Sequence, residues 1–343
     1  MLVPFSTVRV GVIGFGQWGP NHVRNFNAIA GSQVVRICDL SAPRRELARS
    51  QFRDVDVTDD IRAILTAPDI DAIVVATPVP SHFSLVKQAI EAGKDVLCEK
   101  PLASTAEECR QLCELARLKN RVLMVGHVFL YNPGVLHLRA DLERRAFGQI
   151  YYIDAVRTNL GPVRPDVGAL QDLASHDISI FNFLLSAMPL EVSATCGIFL
   201  QSGVEDIGFL TLVYPGGVIC HVHTSWLNPR KVRQFTLVGD VKMAVWDDMN
   251  NLEPIRYYDK GVVTDNYTTF GEFHMILRDG AITIPKIKLF EPLLYQDQEF
   301  IDCVRSRSQP TASGEFGYGV VRVLAAARDS LANRGKMMPV SAQ

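Results

Sequence analysis

The first third of the chain alternates between short apolar runs and amphipathic stretches. The first run, Val8 to Ile13, is rich in β-branched residues and leads directly into a glycine-rich segment. Similar runs follow at 34–38, 71–76, 95–98 and 121–126. Continuous apolar runs are typical of strands buried on both faces, and helical patterns lie between them. The alternation predicts an α/β fold with an N-terminal doubly wound parallel sheet of the Rossmann type.

Capping residues predict where two helices of this region begin. Thr58 is placed to cap a short helix from Asp59 to Leu65. Ser104 and Glu107 have the spacing of a capping box, and the helix that follows is predicted to run to about Lys119.

From Gly148 onward the pattern changes to alternating apolar and polar residues, interrupted by turn signals such as Pro215-Gly216-Gly217. The predicted strands are 150–157, 191–199, 206–214, 218–225, 232–238 and 242–246. They indicate a C-terminal α/β domain with an open, mostly antiparallel sheet, and helices at about 291–306 and 314–334 close the chain. We therefore predict two domains, at 1–127 and 128–343.

Composition narrows the class of protein. The 343 residues carry a net charge of -2, without the basic excess typical of proteins that bind nucleic acid or membrane surfaces. The first ten residues lack the features of a signal peptide, and no apolar run approaches the roughly 20 residues that span a bilayer. The seven cysteines are scattered. These features favour a cytoplasmic protein with reduced thiols.

The glycine-rich segment is a dinucleotide-binding motif in its required context, with a strand before it and a helix after it. It reads Gly14-Phe15-Gly16-Gln17-Trp18-Gly19. Gly14 allows a tight turn, Gly16 allows close approach of a pyrophosphate, and Gly19 allows the helix to pack on the strand. Asp39 ends the next strand, 20 residues beyond Gly19, where a carboxylate binds the ribose hydroxyls of NAD and repels the 2′-phosphate of NADP. We predict NAD over NADP, although Arg44 and Arg45 follow closely.

Further polar residues fall at the carboxyl ends of the predicted strands, where ligands of doubly wound sheets bind. The additional residues predicted to bind the cofactor are Thr77, Pro78, His82, Glu99 and Lys100.

Several segments along the sequence resemble those of the Gfo/Idh/MocA oxidoreductases. The segments GVIGFGQWG, ATPVPSH and CEKPLA carry the likeness, with GHVFLYNP, DLASHDIS and EPLLYQDQEF further on. The resemblance implies that the lysine of EKP and an Asp-x-x-x-His pair serve the chemistry, which here are Lys100, Asp172 and His176. It also implies that 1–127 is the cofactor-binding domain and that 128–343 is the substrate-binding and oligomerisation domain, with homodimers or homotetramers formed through the C-terminal sheet. The stretches RTNLGPVRPDVGALQDLASHDISIFNFLL and SWLNPRKVR are most similar to the branch acting on nucleotide sugars, such as the UDP-N-acetylglucosamine and UDP-N-acetylglucosaminuronate 3-dehydrogenases.

The chemistry of these side chains suits the oxidation of an alcohol. Asp172 and His176 are spaced i, i+4 on a predicted helix that ends near Leu185, so they share one face. His176 is assigned as general base and Asp172 as the group that orients it. Lys100 is assigned to stabilise the developing alkoxide, and the bond from Lys100 to Pro101 is a candidate cis peptide.

The substrate pocket is harder to predict. The candidates to line it are His127, Tyr131, Asn132, Arg157, Asn159 and Arg164. The segment containing Asn132 is equally compatible with a helix-entry turn. A second basic group, at 230–233, is a further candidate to hold a diphosphate, although solvated surface charge explains any one of these residues at least as well. His221 and His223, which follow Cys220, share one face of a predicted strand, but no third ligand of clear identity lies nearby, so no metal site is predicted.

The combined interpretation is NAD-dependent oxidation of a secondary ring hydroxyl on a nucleotide sugar or a related sugar or polyol. Two alternatives stay within the family: a ketosugar reductase, and a dehydrogenase of inositol or a simple sugar. A third alternative, from another class, is a catalytically silent NAD-binding sensor. The presence of both Lys100 and His176 disfavours the sensor.

Overall fold

The computed structural model describes residues 7–161, 163, 167–200, 203–264 and 275–340. The chain divides into two compact units. The first comprises Met1–Tyr131 and Glu291–Arg322, and the second comprises Asn132–Phe290 and Val323–Gln343. Packing therefore groups the segment Glu291–Arg322 with the N-terminal unit, whereas the domain prediction grouped it with the C-terminal one.

The first unit is built on a six-stranded parallel sheet in the order β3-β2-β1-β4-β5-β6. Its strands are β1 (Val8–Ile13), β2 (Ser32–Cys38), β3 (Asp56–Thr58), β4 (Ala72–Val75), β5 (Asp95–Glu99) and β6 (Leu123–Gly126). Its helices are α1 (Gly19–Ala28), α2 (Ala42–Gln51), α3 (Arg62–Leu65), α4 (His82–Glu91), α5 (Ala106–Leu118) and α8 (Pro292–Ser306). The predicted doubly wound sheet is confirmed. The strand order reverses between β1 and β4, so the carboxyl ends of these strands form the edge where ligands bind.

Two predicted helix starts in this unit are wrong. The capping box of α5 is formed by Thr105 and Glu108, one residue beyond the predicted pair: the Thr105 side chain accepts from the Glu108 N–H, and the Glu108 carboxylate accepts from the Thr105 N–H. Ser104 and Glu107 have the same spacing, so spacing alone does not distinguish the two pairs. Thr58 ends β3 and accepts the Asp60 N–H, and α3 begins only at Arg62.

The second unit contains a nine-stranded sheet in the order β14-β13-β12-β11-β7-β10-β9-β8-β15. Its strands are β7 (Ile150–Leu160), β8 (Glu191–Gly197), β9 (Ile207–Val213), β10 (Ile219–Ser225), β11 (Leu227–Gly239), β12 (Met243–Asp247), β13 (Ile255–Thr264), β14 (Met275–Thr283) and β15 (Met338–Pro339). All pairs are antiparallel except β7 with β10. The predicted mostly antiparallel sheet is confirmed, whereas β13 and β14 were not predicted.

Two helices of the second unit pack against each other, α6 (Pro133–Glu143) and α7 (Ala169–Leu185). Helix α7 lies on the sheet against β7, β9 and β10. The side chains of these strands alternate as a half-covered sheet requires: Ile153, Leu210 and Val222 are fully buried, whereas Tyr152 and Phe209 are exposed. The last helix of the chain is α9 (Gly314–Ala332). Within the described residues, no helix is long and apolar enough to cross a membrane.

Candidate active site

The glycine-rich loop between β1 and α1 leaves no room for two side chains. Gly14 has φ +98°, and a Cβ there would lie 2.5 Å from the Ala76 carbonyl oxygen on the neighbouring chain segment. A Cβ at Gly19 would lie 2.2 Å from the carbonyl oxygen of Gly14. The loop therefore turns tightly, and α1 starts in direct contact with the end of β1.

Gly16 and the start of α1 together present a surface suited to a phosphate group. A Cβ at Gly16 would meet only the guanidinium of Arg44, the flexible end of a long side chain. No side chain caps α1, and no acidic residue lies in its first turn. The positive end of the helix dipole is thus not neutralised by the protein's own carboxylates.

Asp39 is fixed at the carboxyl end of β2 by two backbone donors. One carboxylate oxygen accepts the Phe15 N–H at 2.7 Å, and the other accepts the Ser41 N–H at 2.8 Å. Each oxygen keeps a further lone pair for a ligand hydroxyl. The turn, the uncapped helix start and this fixed carboxylate fit the diphosphate and ribose of NAD.

Glu99 is the last residue of β5, and Lys100 begins the loop that follows it. The Lys100–Pro101 peptide bond is cis, as hypothesised from the sequence. The buried ring of His82 joins this loop to the one after β4, with Nδ1 2.8 Å from the Pro101 carbonyl oxygen and Nε2 2.8 Å from that of Thr77. The residues predicted after β4 and β5 therefore belong to one connected structure at the edge of the sheet.

His127 follows β6 and is an unsatisfied polar group. Its side chain is 1% exposed, and neither ring nitrogen has a hydrogen-bond partner in the structure, although Phe316 packs edge-on at 5.7 Å. Burial, and then the positive charge of Lys100, lower the pKa of His127 to about 3. A neutral imidazole buried without partners is a candidate contact for a bound ligand.

In the second unit, α7 carries Asp172 and His176 one turn apart. Both side chains are partly exposed, whereas Ala174, Ser175 and Asp177 on the other faces are buried. The Ser175 hydroxyl bonds back to the Asp172 carbonyl oxygen. The i, i+4 spacing thus gives Asp172 and His176 a shared, accessible face of a helix whose remaining faces are packed.

Arg157 and Tyr131, both predicted to line the substrate pocket, are instead engaged by carboxylates within their own units. Arg157 forms a buried bidentate ion pair with Asp177, with both N–O distances 2.8 Å. The Tyr131 hydroxyl donates to Glu299. We therefore leave both residues out of the proposed substrate contacts.

Two asparagines from the same prediction also make local contacts. Asn132 caps α6 by accepting the Gly134 N–H at 2.9 Å, and it donates to Asp248. Asn159 donates to the Gly161 carbonyl oxygen. Arg164 lies outside the described residues.

Arg233 of the second basic group and the histidine pair of β10 also have partners within the protein. Arg233 contacts Asp248 at 3.4 Å. His221 lies 3.0 Å from Asp154, and His223 stacks on Phe209 at 4.6 Å. Among the described residues no group of three or more His, Cys, Asp or Glu side chains is arranged to hold a metal ion.

The fold and the cofactor cradle define an oxidoreductase with an NAD-binding Rossmann unit. Residues 8–127 match the family model described as "Oxidoreductase family, NAD-binding Rossmann fold", and residues 135–245 match the model of the GFO/IDH/MocA C-terminal domain. The chain belongs to the Gfo/Idh/MocA oxidoreductase family, as its motifs indicated.

Two relatives and one solved structure give the range of similarity. An inositol 2-dehydrogenase of Acidothermus cellulolyticus is 34% identical over 197 residues, which are 56% of this chain and 57% of that protein. A UDP-N-acetylglucosamine 3-dehydrogenase of Acidithiobacillus ferrooxidans is 27% identical over 323 residues, which are 93% of this chain and 95% of that protein. A crystal structure of UDP-N-acetylglucosamine 3-dehydrogenase from the same organism covers 95% of this chain and 97% of its own at a TM-score of 0.81 and 23% identity, a likeness of fold.

Two residues of the first unit near the EKP loop (Glu99-Lys100-Pro101) were not predicted from the sequence. One contacts Glu99 directly, and the other contacts it through the first. His22 of α1 bonds to the Glu99 carboxylate, and Asp297 of α8 bonds to His22. The position of His22 three residues after Gly19 was visible in the sequence, but no spacing rule linked it to Asp297, 275 residues away.

Proposed function

We propose that this protein is an NAD-dependent dehydrogenase that oxidises a secondary ring hydroxyl of a nucleotide sugar or a related sugar or polyol. The observation that carries the proposal is the cradle formed by the glycine turn, the uncapped start of α1 and the fixed Asp39, on the same sheet edge as Lys100. Family membership supports the reaction class.

The proposed chemistry divides between three side chains. His176 takes the proton of the substrate hydroxyl, and Asp172 orients the imidazole and favours its protonated form. Lys100 donates a hydrogen bond to the same oxygen and stabilises the negative charge that develops on it. Bound NAD would supply the acceptor for the hydride.

His127 is the substrate-side residue that the geometry supports best. Its depressed pKa keeps the ring neutral, so it offers one N–H donor and one acceptor nitrogen. We propose that a hydroxyl of the substrate or the carboxamide of the nicotinamide satisfies these two nitrogens. A ligand that bonds to them removes the penalty of two buried, unpaired polar atoms.

A nucleotide sugar is the favoured substrate class, because similarity to the UDP-N-acetylglucosamine 3-dehydrogenase extends over 95% of that relative. Similarity to the inositol 2-dehydrogenase extends over 57% of that protein, and this match favours a polyol as the second candidate.

The deciding experiment measures NADH formation with UDP-N-acetylglucosamine, its uronate, UDP-glucose, myo-inositol and glucose. A 2-oxo acid is added in parallel, in case the bound cofactor is recycled in place. Turnover of a UDP-sugar alone supports the nucleotide-sugar branch, and turnover of inositol or glucose alone replaces it with the polyol branch. If the protein binds NAD but neither oxidises nor reduces a substrate, the catalytically silent NAD-binding sensor becomes the favoured function.

Lys100→Ala tests the mechanism on whichever substrate is active. We expect kcat to fall by about 100-fold or more, because a donor to the developing oxyanion is lost. Lys87→Ala, which removes another lysine of the same unit, is the control. Undiminished turnover of the Lys100→Ala variant would show that the assigned role is wrong.

A further inference from the structure

A buried chain of three ionisable side chains lies directly beneath the EKP loop. His22 is 0% exposed, and each of its ring nitrogens faces a carboxylate. Nε2 lies 3.0 Å from Oε1 of Glu99, and Nδ1 lies 3.0 and 3.1 Å from the two carboxylate oxygens of Asp297. Asp297 is itself 0% exposed, and Glu99 is 9% exposed.

The two carboxylates that flank the ring favour the charged form of the histidine, although burial raises the pKa of Asp297 above its usual value. Two ionised carboxylates accept hydrogen bonds only from N–H groups, so both ring nitrogens must carry a hydrogen. Burial alone would lower the pKa of His22, but the charge of Asp297, and then the hydrogen bonds to Asp297 and Glu99, outweigh it and raise this pKa to about 10. His22 is therefore an imidazolium at neutral pH, and it compensates the carboxylate of Glu99 from below.

Glu99 connects this cation to Lys100. Its second carboxylate oxygen, Oε2, accepts the backbone N–H of Lys100 at 3.3 Å. A Cβ at Gly126 of β6 would lie 3.0 Å from the same carboxylate, so Glu99 packs directly on the backbone of the neighbouring strand. The Glu99 carboxylate is thus held by His22, by packing on the β6 backbone and by the backbone N–H of Lys100.

Asp297 comes within hydrogen-bonding distance of His22 because α8 packs against α1. Phe300 meets Phe26 edge-on at 6.2 Å, and Arg305 donates to the Gly31 carbonyl oxygen just beyond α1. An exposed ion pair between Arg24 and Glu291 joins the same two helices. Asp297 lies outside both segments that match the family models, which end at residues 127 and 245.

We propose that Asp297, His22 and Glu99 form a positioning chain that sets the placement and electrostatic environment of Lys100. The inference rests on the proposed function, in which Lys100 stabilises the substrate alkoxide. When His22 is an imidazolium, it compensates the charge of Glu99, whose carboxylate accepts the backbone N–H of Lys100. When that cation is removed, an uncompensated buried carboxylate remains next to Lys100 along the chain, where it disturbs the placement of the lysine and favours the protonated form of its amine.

The test compares His22→Gln, which removes the charge but keeps a hydrogen-bonding amide, with Glu291→Gln, which weakens an exposed α1–α8 contact away from the chain. The readouts are NAD affinity, kcat and KM, and the rate at which an acylating reagent labels Lys100 at neutral pH, measured by mass spectrometry without substrate. We expect His22→Gln to slow the labelling severalfold and to lower kcat by about tenfold to 100-fold, as small misplacements of catalytic groups do. NAD affinity and KM should change little, and Glu291→Gln should resemble the wild type throughout.

A second measurement needs no variant, so a failure of His22→Gln to fold would not remove the test. ¹⁵N NMR of the histidine side chains of the intact protein reports the protonation of both His22 nitrogens directly. We expect a doubly protonated ring at a mildly alkaline pH, where an ordinary histidine is neutral.

A neutral His22 under those conditions overturns the proposal, as does an unchanged labelling rate of Lys100 in a folded His22→Gln protein. If the enzyme lacks turnover on every substrate while the labelling and NMR results are as expected, the proposed reaction fails but the positioning chain stands.

Discussion

At the scale of single residues, the choice of cofactor depends on Asp39. Because two backbone N–H groups already hold its carboxylate, no ordering of the side chain is needed when a ribose diol binds. We expect Asp39→Ala to weaken NAD binding by about tenfold to 100-fold, the loss typical of charge-assisted hydrogen bonds. NADP binding should weaken less, because the carboxylate that repels a 2′-phosphate is also gone.

Fluorescence titration with each dinucleotide measures both affinities. Asp59→Ala removes a nearby exposed carboxylate that pairs with Arg45, and it serves as the control. An equal loss of NAD and NADP affinity in Asp39→Ala would mean that Asp39 supports the loop rather than reading the ribose.

A second residue-scale prediction concerns His127 and acid stability. Its pKa is about 3 in the folded protein and about 6.5 when unfolded, so the unfolded chain takes up a proton that the folded protein does not. Stability is therefore unaffected by this group above pH 6.5 and falls as the pH is lowered from 6.5 towards 3. Between neutral pH and pH 5 the loss is about 2 kcal/mol.

Replacing His127 with leucine should remove that part of the pH dependence. Denaturant unfolding at the two pH values measures it, with His221→Gln, a change at a half-exposed histidine, as the control. If the His127→Leu protein loses as much stability between the two pH values as the wild type, the ring is not held neutral in the fold.

Residues that could be assigned from the sequence have partners close to them in a local motif. Residues that could not be assigned have partners brought near only by tertiary packing. Gly14 and Gly19 lie in the tight turn predicted for them, and Asp39 follows β2 as predicted, because a strand, a glycine spacing and a helix suffice to place them. Arg157 was a candidate anion contact, yet Asp177 neutralises it across the space between β7 and α7. Which carboxylate meets which cation is decided by tertiary packing, and spacing along the chain does not encode it.

At the scale of elements, the contact between β1 and α1 is the tightest feature of the cofactor cradle. A Cβ at Gly19 would collide with the backbone of Gly14, and no side-chain rotation relieves a clash of this kind. We expect Gly19→Ala to displace the start of α1, to lower the free energy of unfolding by about 1–3 kcal/mol, as overpacking does, and to abolish most of the NAD affinity.

Gly93→Ala is the control, because Gly93 lies just after a helix of the same unit, α4, and has open space around it. Its φ of +79° is strained for alanine, so a stability loss of about 1–2 kcal/mol is expected from the backbone alone. NAD affinity, measured beside denaturant unfolding, should be unchanged. If both variants lost NAD affinity to a similar extent, the loss in Gly19→Ala would result from lower global stability and not from a change in the cradle.

Elements with one strong periodicity were predictable, and those with mixed signals were not. Strands β4 and β6 are buried throughout and appear as unbroken apolar runs, whereas β1 and β5 are mostly apolar and are interrupted only by Arg9 and by the terminal Asp95 and Glu99. Strand β13 buries Ile255 and Tyr257 but exposes Arg256 between them, and its remaining charged residues hide this alternation in the sequence. Its place in the sheet follows from pairing with β12 and β14, which is information that only the fold supplies.

At the scale of the whole molecule, the face of the second unit's sheet opposite α7 is its most distinctive surface. Tyr152, Phe209 and Ile219 lie on adjacent strands, are 44%, 38% and 48% exposed, and Ile219 pairs directly with Tyr152. Large apolar side chains clustered on one sheet face are typical of a surface that another protein covers. We propose a second copy of this chain as the occupant, which agrees with the dimers or tetramers expected from the family resemblance.

Ile219→Glu tests this assembly by placing a charge in the middle of the patch. Burying an unpaired carboxylate in an interface is costly, so we expect the variant to dissociate to monomers at concentrations where the wild type remains a dimer or tetramer by light scattering. Leu118→Glu, at an 80% exposed position on α5, should leave the mass unchanged. NAD affinity should survive in both variants, because Ile219 belongs to the second unit whereas the cradle belongs to the first, and Leu118 is exposed at the end of α5, outside the cradle. A monomeric wild type, or an Ile219→Glu protein that assembles as the wild type does, would mean that this face serves another partner, and the apolar patch would then require a different occupant.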